Sequence, residues 1–380
     1  MMKILTTSVI VLSLIRTAGP AMAQDVHVRV KVSHDVAREI QEAVESAVGA
    51  DIGREIAEAI RSVTVGLPEL GHAEAAFLQN REFRSEQTQR ETKKLQVGAA
   101  GTLELKNVSG DIVVTAGSGR EATVDIVRVS RGRTDADAKL GLERVTVEVD
   151  QRGERATVQV HYPDEHDRGR SAYNVSVSYQ VNAPAGTHVT AESVGGSVSV
   201  TGIRGDLTAA SVGGNVTITD AGRIVSAKSV GGTVTVNGAQ TDGTFEAGSV
   251  GGSVTVQRIK AKRISVSTIG GNVSATDVTC DAADLGTLSG TVEFSGPLAR
   301  SGRYELHAQS GSVRFTPTND TGFELQARTF SGEIRTDSAI QLQRVSSARG
   351  PNRNVRGTFG DGSAVVVLST FSGNVVVTKK

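Results

Sequence analysis

From about residue 186 onward, apolar and polar residues alternate in short runs, and the alternation slips by one place at regular intervals. The clearest form is Ser-Val-Gly-Gly, one polar residue, then a second alternating run, at 193–200, 211–218, 229–236 and 249–256. Looser copies run at 268–275, 287–294, 308–315, 329–336 and 370–377, and one lies upstream at 107–114. Each copy is anchored on an apolar residue: Val194, Val212, Val230, Val250, Ile269, Leu288, Phe330 or Phe371. Gly follows the anchor by two places, apolar residues follow by four and six, and others precede it by three and five. Apolar residues at every second place line one face of a strand. The odd step before the anchor therefore predicts a corner between two short strands, where inward Gly lets neighbouring backbones approach. Second turns are expected at Thr201-Gly202, Asp220-Ala221-Gly222, Asn237-Gly238 and Asp242-Gly243.

The anchors from 194 to 288 are 18, 18, 20, 19 and 19 residues apart, and the series continues through Gln309, Phe330 and Phe371 with one interval about doubled. The predicted fold is all-β: a β-solenoid-like stack of two-strand rungs of about 18–21 residues, each about 4.8 Å above the last, preceded by an N-terminal amphipathic helix. An antiparallel sandwich of short hairpins is the rival, but position-by-position identity favours stacking. A β-rich lead-in at 94–185 carries expected strands at 101–106, 111–116, 121–127, 145–151, 155–161 and 173–181, and a short helix at 135–142; the repeats occupy 186–380.

The first residues read as an export signal. Lys3 gives a positive start, 4–15 is mostly apolar, and Ala21-Met22-Ala23 is a cleavage pattern, so 1–23 is an expected signal peptide. Within 24–66, Val36, Ile40, Val44, Val48, Ile52, Ile56, Ile60 and Val63 recur at mostly four-residue spacing, the pattern of an amphipathic helix. That segment carries seven acids and three bases over 35–63, unlike a membrane-surface helix. It is expected to cap the stack or to bind another chain. A polar linker is expected at 67–93.

Composition adds exclusions. The formal net charge is zero, so no global field draws the chain to nucleic acid or anionic lipid. Cys280 is the only cysteine, so no intrachain disulfide forms, and its setting suggests a buried, inert thiol. No transmembrane segment is expected in the mature chain, no cofactor is implied, and no nucleophile elbow, metalloprotease or nucleotide motif occurs. His161 to Asp167 has a metal-loop composition but fits no ligand template, and reads as a solvated hairpin. Two surfaces remain. One is an outward Ser/Thr set, chiefly Ser197, Ser199, Asn215, Thr217, Thr233, Thr235, Ser253 and Thr255. The other is a basic run, Arg344, Arg349, Arg353 and Arg356, expected in a mobile loop and suited to an anionic partner.

The run Gly-Thr-Leu-Glu-Leu-Lys-Asn-Val-Ser-Gly-Asp-Ile at 101–112 resembles the opening of a bacterial β-strand-repeat family, a domain of unknown function labelled "putative adhesin". The strand ending Val181-Asn182-Ala183-Pro184-Ala185-Gly186 is similar to its middle, and 357–363 with 370–374 to its last rungs. The acid often found after the rung Gly is mostly Ser, Asn or Thr here. The resemblance covers about 94–380, implies an envelope or secreted β-repeat protein, and supplies no catalytic residue. The expected function is that of an exported, non-enzymatic protein, periplasmic or at the cell surface, with a structural, adhesion or surface-interaction role and an envelope protein or surface glycan as partner. One alternative is an envelope assembly or stress factor acting through the N-terminal helix. The least favoured is a carbohydrate-active solenoid using Glu293 or Glu333.

Overall fold

The computed structural model describes residues 83–163, 172–337, 341–344 and 353–379. The expected signal peptide, the amphipathic segment and the linker as far as residue 82 lie outside the described residues. So do Arg349 and most of the acidic loop after Tyr162.

Short strands dominate, as the alternation dictates. The lead-in comprises β1 (Ser85–Gln96), β2 (Thr102–Asn107), β3 (Ile112–Gly117), β4 (Glu121–Gly132), α1 (Asp135–Arg144), β5 (Thr146–Arg152), β6 (Arg155–His161) and β7 (Tyr173–Pro184). The first repeats give β8 (His188–Ser193), β9 (Val198–Thr201), β10 (Leu207–Ser211), β11 (Val216–Ala221), β12 (Ile224–Ser229), β13 (Val234–Gln240), β14 (Thr244–Ser249), β15 (Val254–Lys260) and β16 (Arg263–Thr268). Then follow β17 (Val273–Ser289), β18 (Val292–Gly296), β19 (Leu298–Ser310), β20 (Val313–Pro317), β21 (Phe323–Ser331), β22 (Ile334–Thr336), β23 (Gln341–Arg344), β24 (Arg353–Phe359), β25 (Ala364–Ser372) and β26 (Val375–Val377). Residues from Ser85 onward, expected in the linker, instead form an edge strand paired with β4; their side chains are nearly all polar and exposed, which hides a strand from hydrophobic periodicity.

Within each repeat the first strand joins one parallel sheet, sheet I, and the second joins another, sheet II. In sheet I, β2, β8, β10, β12, β14, β16, the second half of β17 and β19 pair in that order. In sheet II the order is β3, β9, β11, β13, β15, the first half of β17, β18 and β20. Equivalent residues stand side by side: Val198, Val216, Val234, Val254, Val273, Val292 and Val313 form one fully buried column. The parallel register rules out the sandwich.

Stack order departs from chain order at both ends. Strand β2 sits between β6 and β8, and β3 between β7 and β9, while β4 and β1 extend sheet II antiparallel and β5 extends sheet I. At the other end the last rung, β25–β26, lies between β19–β20 and β21–β22. The doubled interval before Phe371 holds β23 and β24, antiparallel strands that close sheet I beyond β21. Arg353 and Arg356 therefore lie in a strand, not in the expected mobile loop, because β24 pairs with both β21 and β23.

The corner rests on an inward ladder of hydroxyls. The residue before each anchor is buried and, in sequence position 193, 211, 229, 249, 268, 287, 370 and 329, is Ser or Thr. Ser211 Oγ donates to Gly196 O, Ser229 Oγ to Gly214 O and Ser249 Oγ to Gly232 O, each at 2.8 Å. The same oxygens accept the Gly214, Gly232 and Gly252 N–H groups. One hydroxyl thus satisfies a donor in its own corner and an acceptor in the neighbouring rung. The ladder is interrupted at Ala308, which is buried in register between Thr287 and Thr370. Replacing Ala308 with Thr is expected to add one such hydrogen bond, toward Gly290 O, and to raise stability by about 1 kcal/mol. Ser229→Ala is expected to cost about 2 kcal/mol, since it strands a buried donor and a buried acceptor. Urea unfolding of the two variants checks both signs.

The core widens toward the last rungs, where Phe294 stacks on Phe315 at 5.4 Å and meets Tyr304 at 5.3 Å, with Phe323 beyond. The Tyr304 hydroxyl donates to Cys280 O and accepts from Ala299 N–H, and burial raises its pKa. Burial also pushes the Cys280 thiol up to about 12, so it stays protonated and unreactive at neutral pH.

Candidate functional site

The outward Ser/Thr set divides into two groups with different work. Ser197, Asn215, Thr233 and Ser253 follow the inward Gly and stand at the corner. There Asp111 Oδ1 accepts Ser197 N–H at 2.8 Å, Asn215 Oδ1 accepts Thr233 N–H at 2.8 Å, and Ser253 Oγ accepts Asn272 N–H at 3.1 Å. The Thr233 hydroxyl also donates to Asn215 Oδ1. Ser197 Oγ likewise accepts Asn215 N–H at 3.3 Å, so Ser197, Asn215 and Ser253 cap backbone donors of the adjacent rung while Thr233 braces Asn215, and all four are architectural.

Ser199, Thr217, Thr235 and Thr255 lie two places further on, in the outward row of sheet II. With Ser274 they form five consecutive members in register, one per rung and about 4.8 Å apart. None of the five side chains hydrogen-bonds another group among the described residues. Their alternation partners, Val198, Val200, Val216, Ile218, Val234 and Val236, are buried, so the hydroxyls are held on a rigid sheet. A second outward row, Thr201, Thr219, Asn237, Gln257 and Thr276, runs beside the first. Asn215 and Asn272, which follow the Gly pair directly, belong to the corner and do not interrupt this face. Beyond Ser274 the row changes to Glu293, Arg314, Val376 and Arg335.

Backbone pairing sets Arg344 beside Val355 and Arg356 beside Gln343 and Gln326, and the Arg356 side chain is exposed. Elsewhere on sheet I, His307 lies over Gly286 with Nδ1 3.7 Å from Asp284 Oδ1. Burial lowers the pKa of His307 and raises that of Asp284. His161 Nε2 meets Glu148 Oε2 at 2.8 Å. Among the described residues no three His, Cys, Asp or Glu side chains converge on a metal position, and no helix is long and apolar enough to cross a membrane.

The Toastrack model of the DUF4097 family, a domain of unknown function, matches residues 101–378, the whole span from β2 to the end of β26. The chain belongs to the DUF4097 (Toastrack) family. Solved structures with a similar arrangement include one named a "putative cell adhesion protein" from Clostridium sporogenes, at 9% identity, covering 77% of this chain and 100% of that one, with a TM-score of 0.22. A "putative lipid binding protein" from Parabacteroides distasonis is 13% identical, with 76% and 96% covered and a TM-score of 0.44. A "putative adhesin" from Bacteroides fragilis is 10% identical, with 76% and 97% covered and a TM-score of 0.37. No curated protein matches the chain. In this Toastrack chain the buried hydroxyl ladder is what sequence reasoning missed. Its signal was present as Ser or Thr immediately before the anchor, but polar residues next to Gly read as turn surface.

Proposed function

We propose that this Toastrack protein is an exported, non-enzymatic β-repeat protein of the bacterial envelope that binds an extended surface glycan along the outward row of sheet II. The observation that carries this reading is the five-rung row of hydroxyls from Ser199 to Ser274 that bond no other group among the described residues. A linear polymer lying across the strands meets a hydroxyl at each rung, and many weak contacts in register add up where one alone would not. The backbone beneath is fixed, so little ordering entropy is lost on binding. The neutral net charge suits an uncharged polymer better than a polyanion.

The test is co-sedimentation of the mature chain with isolated cell-wall sacculi and with extracted surface polysaccharide. Thr217→Val, Thr235→Val and Thr255→Val together keep β-propensity and shape while removing three hydroxyls. At about 1 kcal/mol per lost hydrogen bond, binding is expected to fall by about a hundredfold. Equal retention of the triple variant and the wild type would remove the hydroxyl face from the function.

A further inference from the structure

The two glycines of each Val-Gly-Gly corner have different reasons to be there. The second is required: a Cβ on Gly214, Gly232 or Gly252 would lie 2.1–2.3 Å from a neighbouring glycine carbonyl oxygen. The first is not. Gly195, Gly213, Gly231, Gly251 and Gly270 are exposed, have no left-handed backbone, and would place a Cβ no nearer than 3.3 Å to another group. Other corners carry Ser at this position, at Ser109, Ser289, Ser310, Ser331 and Ser372, so the fold admits a side chain. Five successive rungs nevertheless leave the backbone bare.

Beside that bare strip runs an apolar ridge. The anchors from Val212 to Leu288 are half-buried and point out of the corner; at the far end Phe371 and Phe330 are 51% and 41% exposed, with rings stacked 4.7 Å apart. Ridge and strip lie side by side for the same rungs, the ridge toward sheet I and the strip toward sheet II. This is half of a ridge-into-groove contact whose other half is the same surface turned over.

We propose that two copies of this chain pair corner to corner, with their stacks parallel and the twofold axis along the ridge. That operation lays Val212 and Val230 of each copy over the bare backbone at Gly213 and Gly231 of the other. It also brings the sheet I flank of one copy against the sheet II flank of its mate. Lys106 then faces Asp111, which also accepts Ser197 N–H, at one end, and Arg328 faces Glu333, which Arg335 also holds at 2.9 Å, at the other, all four being outward positions that flank the corner. The antiparallel arrangement fails on both counts: ridge meets ridge, Lys106 meets Arg328 and Asp111 meets Glu333. Opposite charge at both rims and shape along the middle select the same geometry. A formal net charge of zero leaves no overall repulsion between copies.

The experiment is sedimentation velocity on the mature chain across a micromolar concentration series. The wild type is expected to show a monomer–dimer equilibrium. Gly213→Arg, Gly231→Arg and Gly251→Arg together are expected to abolish the dimer without changing the circular dichroism spectrum. The corresponding triple Ser variant, which copies the side chain other corners already hold, guards against a folding defect and is expected to weaken the dimer. Arg328→Glu is expected to raise the dissociation constant several-fold, and Glu333→Arg in the same chain to restore it. A wild type that stays monomeric throughout, or a dimer that survives the triple Arg change, overturns the proposal. So does a monomer in which the triple Arg change raises hydrogen exchange at 41–63, since the ridge would then be covered by the chain's own segment.

Discussion

Deleting residues 363–380 is expected to unfold the last third of the stack rather than to trim one rung. In a solenoid built in chain order, the final rung touches one neighbour, and its loss exposes one face. Here β25 pairs with both β19 and β21, and β26 with both β20 and β22. Removal takes out Ala364, Val366, Leu368, Val375 and Val377, all buried, and opens a gap in both sheets at once. At about 1.5 kcal/mol or more for each larger side chain, the loss is comparable with the whole stability of an ordinary domain. The hairpin of β23 and β24 then has only β21 beneath it, and β21–β22 has no parallel neighbour. Rungs from β2 to β16 keep their contacts, because each depends mainly on its nearest neighbours. Hydrogen exchange should therefore show protection lost across 303–336 and 353–359 and kept across 188–268. Protection retained at 323–336 in the truncated chain would contradict the intercalated order.

The intercalation was invisible to pattern reading for a physical reason. Rungs from Leu288 to Phe371 share the same alternation and the same corner, so any of them can stack on any other, and periodicity carries no information about which does. The doubled interval before Phe371 was the one trace. What periodicity did carry was the rung itself: the odd step before each anchor became a corner, and the inward positions at Val198, Val216 and Val234 became a buried column. The hydroxyl face was legible as a set of outward residues but not as a row. Distinguishing Asn215, which caps Thr233 N–H, from Thr217, whose side chain has no hydrogen-bond partner among the described residues, requires the register between rungs. The edge strand β1 was missed because nearly every side chain in it is polar.

Gly232→Val is expected to be among the most damaging single substitutions in the chain, while Gly231→Ala, one residue earlier, is expected to be silent. A Cβ at Gly232 would stand 2.1 Å from Gly214 O, 2.5 Å from Gly214 C and 2.9 Å from Asn215 N. All three are backbone atoms of the adjacent rung, so no side chain can swing aside. The rungs must separate, and separation breaks the Ser229 Oγ bond to Gly214 O at 2.8 Å and distorts the Gly232 N–H bond to Ser229 Oγ. Overpacking of about 1–3 kcal/mol adds to about 1–3 kcal/mol for a buried polar group left unpaired. Together these give a loss of about 2–6 kcal/mol, with part of the stack uncoupled from the rest because the contact is between nearest neighbours. At Gly231 the nearest atom to a Cβ is Val212 O at 3.4 Å, an ordinary contact. Ala there also reduces the freedom of the unfolded chain, so its effect is expected within about 0.5 kcal/mol of zero and on the stabilising side. Urea unfolding of the pair separates two glycines that look alike in the sequence. Equal effects would mean that the close approach of successive corners, on which the hydroxyl ladder depends, is not the feature that holds the rungs together.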